Sequence, residues 1–173
     1  MTPELYWITG PWTARQPARL AISSRPRGGD WLEDEVRAWQ LAGVDVVVSL
    51  LERQEQAELG LEEEGRLVEA AGLRFFSLPI PDLGVPPSRA AAAFLLQNLR
   101  RDLESGRNVA IHCRQGVGRS GLIAAAVLIA GGVDAAQALR AVSAARRVDV
   151  PETPDQRRWI ERLAADRQVL ARR

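Results

Sequence analysis

The chain alternates between short runs that are apolar on every residue and longer stretches with helical spacing. Tyr6 to Thr9 and Leu20 to Ser23 predict two short opening strands. Asp30, with Glu33 three residues on, reads as a capping-box-like helix start. Leu32, Val36 and Trp39 follow at i, i+4 and i+7 before Gly43 stops the helix. Val44 to Leu51 (VDVVVSLL) is β-branched and apolar on both faces, the pattern of a buried parallel strand. The unit then repeats, with a helix near Leu61 to Ala71, a stop at Gly72 and a strand near Leu73 to Ile80. Ser88 caps a third helix running to about Ser105, Gly106 ends it, and Val109 to His112 forms another buried strand. Three helices close the chain: Gly121 to Ala130, Asp134 to Ala145, and about Pro154 to Arg172. Thr153 and Gln156 form a capping-box pattern around the last start, with Pro154 at its first position. The order predicts an α/β fold with a central, largely parallel sheet flanked by helices. No linker or low-complexity stretch divides it, so residues 1–173 are expected to form a single domain, with 1–29 as lead-in strands.

Composition narrows the chemistry. The 173 residues carry one cysteine and one histidine, which excludes an internal disulfide and an all-Cys/His zinc site. Neither metal nor cofactor is expected. All 23 basic residues are arginine and the formal net charge is +1, which gives no electrostatic case for nucleic acid. Acids crowd between Asp30 and Ala70 and arginines gather from Arg140 onward; the plain reading is two solvated helical faces of opposite sign, and it is adopted for the acidic half. The N-terminal MTPELYWITG lacks a basic segment ahead of a long apolar core. The most apolar run, Gly121 to Val133, is too short to span a bilayer. A cytoplasmic, monomeric protein is expected.

Any Cys or His chemistry therefore rests on the adjacent His112 and Cys113. Residues 112–121 read HCRQGVGRSG between a buried strand and an apolar helix, the edge at which open α/β sheets bind ligands. Gly116 and Gly118 permit backbone conformations that turn successive N–H groups inward as an anion nest. The helix starting near Ser120 adds the positive end of its dipole. Such a field favours thiolate at Cys113, and Arg119 offers a planar fork to a tetrahedral oxyanion.

This segment resembles the His-Cys-x5-Arg-Ser/Thr signature of cysteine-dependent protein tyrosine phosphatases, with Cys113, Arg119 and Ser120 in register and Gly116, Gly118 and Gly121 matching its glycines. The upstream LPIPDLGVP resembles the loop that carries the family's general acid, which makes Asp82 the candidate. Its separation from the cysteine, 113 − 82 = 31 residues, suits the compact dual-specificity-type branch. VVSLLE, E-x-x-x-L-G-L and PETPDQ are similar to bacterial members and to the kinase-associated (cyclin-dependent kinase inhibitor-type) phosphatases. The likeness runs from about Asp30 to Ile160. It implies a dual-specificity-phosphatase-like fold. It also implies hydrolysis of phosphomonoesters, on a phosphorylated protein or small molecule, through a phosphocysteine. The loop from Arg114 through Gln115, Gly116, Val117 and Gly118 to Arg119 would hold the phosphate. The loop lacks the lysines of phosphoinositide-directed relatives. The chain also lacks the aromatic recognition segment of the tyrosine-only type, which points to a shallower pocket accepting several phosphoresidues.

Each residue also carries a plainer reading. Asp82 in P-D-L-G is good turn chemistry as well as a candidate acid. Ser120 serves as helix cap, as partner of the leaving thiolate, or as both. Gln156 caps its helix or positions water. His112 leaves the strand on the side opposite Cys113, so a supporting bond to the loop backbone is expected rather than a direct base. Arg146 and Arg147 read as solvated, or as steering phosphorylated ligands. The five tryptophans read as packing. The rivals are a rhodanese-type sulfurtransferase, whose loop is one residue shorter, a catalytically silent phosphoprotein-binding module, and an RNA 5′-triphosphatase of the same superfamily.

Overall fold

A computed structural model describes residues 3–12 and 17–171; residues 1, 2, 13–16, 172 and 173 lie outside the described residues, as does the expected helix end at Arg172. Among the described residues five strands form one sheet in the order β1-β2-β5-β3-β4. They are β1 (Tyr6–Thr9), β2 (Arg19–Ser23), β3 (Val46–Ser49), β4 (Arg74–Ser77) and β5 (Val109–His112). Of these strands β1 pairs antiparallel with β2, and β2–β5, β5–β3 and β3–β4 pair parallel. The strand cores fall within the predicted runs, but β3 and β4 are shorter than Val44–Leu51 and Leu73–Ile80. The flanking apolar residues serve as buried connections: Leu50, Leu51 and Ile80 are fully buried outside the ladder.

Among the described residues seven α-helices flank the sheet: α1 (Leu32–Leu41), α2 (Arg53–Leu59), α3 (Glu64–Ala70), α4 (Arg89–Glu104), α5 (Gly118–Ala130), α6 (Ala135–Arg146) and α7 (Pro154–Ala171). The larger core holds Leu20, Ile22, Val46, Val48 and Ile111 with Leu99 of α4 and most of α5. The smaller joins Ala21, Val47 and Ala110 to Val36 and Trp39 of α1 and Val68 of α3. Helix α5 is buried over nearly its full length, which explains its lack of a polar face.

Three helix starts differ from expectation. Asp30 does not cap α1. It lies in a 3₁₀ turn, Gly29–Trp31, and no side chain bonds the first turn of the helix. The helix expected at Leu61–Ala71 begins only at Glu64, and a separate α2 precedes it. That helix was written in the sequence: Glu52 and Glu55 form a capping box, and Gly60 ends it at φ +65. Ser120 is no cap, because α5 starts two residues earlier with Val117 at the cap position.

Candidate active site

The site lies at the carboxyl ends of the two central strands β5 and β3, where the parallel order converges. β5 ends at His112, the chain turns through residues 113–117, and α5 begins at Gly118. Gly116 sits at φ +66, with the place of a Cβ only 2.3 Å from the Ser23 carbonyl oxygen. Side chains there are excluded by both backbone conformation and space.

Four of the loop's carbonyls are tied by the fold. His112 Nδ1 lies 3.4 Å from the Cys113 oxygen. The Arg25 N–H donates to the Arg114 carbonyl (3.4 Å), and Arg146 Nε donates to that of Gly116. The Gly121 N–H takes the Val117 carbonyl (2.8 Å). Among the described residues, no N–H from Arg114 to Val117 donates to a protein acceptor. With the oxygens turned away, those N–H groups are left for an anion in front of the helix. Arg146 is therefore not the solvated side chain expected: it braces the loop and covers the Tyr6 ring at 4.0 Å.

Cys113 is 3% exposed and free, at the base of a cavity of about 220 Å³. Asp82, Leu83, Arg114, Gln115, Val117, Gly118, Arg119 and Glu152 form its walls. Arg119, 2% exposed, reaches it from α5. Nη1 donates to Glu55 Oε2 (2.6 Å) and to the Ile80 carbonyl (3.0 Å), and Nη2 donates to Glu55 Oε1 (2.9 Å). A guanidinium has five N–H groups, so this leaves Nε–H and one Nη2–H, a second parallel edge suited to a phosphate. Burial works against the Arg119 charge. The Glu55 hydrogen bonds outweigh it with help from the charges of Cys113 and Asp82, leaving the Arg119 pKa above the ordinary guanidinium value. The same bond to Arg119 holds Glu55 below the usual carboxylate range against its own burial, with the Glu52 N–H and Arg114 adding to the effect.

Asp82 stands on the opposite wall, mostly exposed, with Oδ1 3.5 Å from Arg119 Nη2. It also accepts the Leu83 N–H (3.1 Å), so its turn chemistry is present as well. Leu83 takes φ +60, unusual for a branched side chain, and α7 anchors the loop beyond it. Thr153 Oγ1 donates to the Leu83 carbonyl (3.3 Å) and Gln156 Nε2 to that of Gly84 (3.1 Å). Gln156 is fully buried. Its N–H donates to Thr153 Oγ1, but its own Oε1 accepts the Glu152 N–H rather than that of Thr153. Only half of the expected capping box forms, and the side chain ties the Asp82 loop to α7. The Ser120 hydroxyl is buried without a hydrogen-bond partner among the described residues.

Sequence reasoning missed Glu55, Glu64 and Glu152. The first two lay in the acidic run read as a solvated face, yet Glu55 holds Arg119 and Glu64 bonds His112. Glu55 is the glutamate that opens E-x-x-x-L-G-L, so a signal was present. Glu152 lies against the loop, with the place of a Gly118 Cβ 1.9 Å from its Oε2.

A family model described as "Polymorphic toxin system, DSP-PTPase phosphatase" matches residues 22–133, well over half of the chain, from β2 through the cysteine loop and α5. The chain belongs to this family. This dual-specificity-type protein tyrosine phosphatase is a hydrolase acting on phosphorylated substrates, which sets sulfur transfer aside. No curated protein matches it. Among solved structures it is similar to kinase-associated phosphatase, crystallised with its catalytic cysteine replaced by serine (TM-score 0.80, 19% identity, 99% of this chain and 97% of that one). It is also similar to Tk-PTP in the active form (TM-score 0.74, 28% identity, 95% and 99%). A third likeness is to a protein tyrosine phosphatase from Leishmania major (TM-score 0.68, 23% identity, 92% and 97%). No helix among the described residues of this phosphatase is long and apolar enough to cross a membrane.

Proposed function

We propose that this phosphatase hydrolyses phosphotyrosine, and phosphoserine or phosphothreonine as well, on protein substrates, with Cys113 as nucleophile. The observation that carries the reading is the convergence on one cavity of Cys113, the open edge of Arg119, the inward N–H groups and Asp82. The Cys113 thiolate attacks phosphorus in line, forming the S–P bond as the P–O bond breaks, and Asp82 gives its proton to the departing oxygen. Arg119 and the N–H groups from Arg114 to Arg119 neutralise the equatorial oxygens. Asp82 then takes a proton from water attacking phosphorus, the S–P bond breaks to release inorganic phosphate, and the Ser120 hydroxyl, which has no other partner among the described residues, supports the leaving thiolate. Gln156 and Thr153 hold the Asp82 loop over the cavity. The positive field comes from Arg119 and the nest, so the reaction as written needs neither metal nor cofactor. The near-neutral chain favours phosphoproteins over nucleic acid, and one copy supplies every group named, which supports action as a monomer.

Two variants test this. Cys113→Ser abolishes turnover while tungstate, a phosphate mimic, still binds; full turnover in that variant overturns the assignment. Asp82→Asn slows phosphoserine peptides, whose leaving groups are poor, roughly tenfold more than an aryl phosphate with a good one. Equal slowing removes Asp82 from the acid role.

A further inference from the structure

Beneath the cysteine loop lies a buried glutamate–histidine pair that the proposed chemistry does not use. Glu64, at the start of α3, and His112, at the end of β5, are each 1% exposed. Glu64 Oε1 is 2.7 Å from His112 Nε2, and His112 Nδ1 is 3.4 Å from the Cys113 carbonyl oxygen. Trp39 of α1 stacks on the imidazole, centroids 5.8 Å apart. Among the described residues no other charged side chain bonds or pairs with either group; Arg114, two residues past His112, pairs instead with Glu55 and Glu58, and Arg119 with Glu55. Burying a carboxylate is costly unless a charge or donor meets it, and here His112 alone does so.

Both ring nitrogens thus face oxygen. A carbonyl only accepts, so Nδ1 needs a proton to bond Cys113, and a carboxylate at 2.7 Å accepts a hydrogen bond from a second one, on Nε2. We propose that Glu64 is a positioning residue acting through His112. Its carboxylate keeps the imidazole doubly protonated, so that Nδ1–H engages the Cys113 carbonyl and a positive charge stands behind the thiolate. An overall neutral pair supplies a local cation where the nucleophile needs one, much as a carboxylate behind a ligating histidine tunes that ring. This rests on Cys113 being the nucleophile.

His112 is the sole histidine, so its ring can be read without ambiguity in the full chain. Nitrogen NMR of ¹⁵N-histidine-labelled wild type at about pH 7 shows both ring nitrogens protonated; a neutral ring in either tautomer overturns the proposal. Glu64→Gln gives a neutral ring. It also slows Cys113 alkylation by iodoacetamide at about pH 6 roughly threefold and moves the acidic limb of kcat/KM to higher pH, while tungstate affinity stays within about twofold. A profile superimposable on wild type, or an equal loss at every pH, makes Glu64 a structural residue only. In a His112→Asn background Glu64→Gln moves nothing further; a further shift overturns the route through His112. If Glu64→Gln does not fold, the wild-type spectrum decides. Turnover retained by Cys113→Ser would sink the reading of the site, whereas the ring's protonation reports on Glu64 alone.

Discussion

At the scale of single residues, the central fact is that Arg119 arrives at the cavity already oriented. Glu55 occupies one edge of its guanidinium and the Ile80 carbonyl a further N–H, so rotation that would waste the remaining edge is blocked. Glu55→Gln keeps the shape but removes the charge. We expect kcat/KM to fall roughly ten- to a hundredfold, equivalent to about 1.4–2.8 kcal/mol, read by steady-state kinetics. The pair also has a pH signature. The folded-state pKa of Glu55 lies below its unfolded value, so its stabilisation is fully present above the unfolded carboxylate range and is lost as pH falls through the lower folded value. The Tm gap between wild type and Glu55→Gln should therefore be widest near neutrality and close on acidification. A gap that stays constant with pH contradicts this.

At the scale of elements, the strand–loop–helix from β5 to α5 works because its backbone polar groups are divided, with carbonyls braced by the fold and N–H groups left to the ligand. Gly116 is the pivot. Gly116→Ala meets an unfavourable φ, about 1–3 kcal/mol, together with a backbone oxygen that cannot yield. The expected result is a lower Tm and loss of tungstate binding measured by calorimetry; unchanged affinity would show that the loop does not depend on this turn. Much of this element was legible beforehand, because glycine spacing and a buried flanking strand are local features. Helix α2 was not recognised, although its capping box was, like the others, local. Its acids were counted as a surface face, and only the bond from Arg119 of α5 to Glu55 shows which glutamate turns inward.

Across the whole molecule, the parallel order brings β5 and β3 side by side and sets residues about 30 and 60 positions away from Cys113 around one cavity (113 − 82 = 31 and 113 − 55 = 58). The scaffold behind them is the large core joining α4, α5 and the sheet. Leu99, fully buried on α4, packs into it without lining the cavity. Leu99→Ala should cost about 2–5 kcal/mol in urea unfolding and lower Tm by roughly 5–15 °C. Below the transition kcat should be unchanged, because Leu99 forms no wall of the cavity; a large fall in kcat with little loss of stability would contradict that division.

The sequence by itself determined the alternation of strands and helices, the parallel sheet, the glycine-rich turn and the Cys113–Arg119 spacing. All of these follow from hydrophobic period and backbone freedom within a few residues. Tertiary structure alone decided the rest. It turned Glu55 and Glu64 from an acidic surface run into the partners of Arg119 and His112, and Arg146 from solvent into a brace for Gly116. It also moved Ser120 from cap to buried hydroxyl and made Gln156 a tether for the Asp82 loop. The physical reason is common to all of them. A charged or polar side chain takes its role from the partner it meets when buried, and that partner is set by the packing of elements distant in sequence.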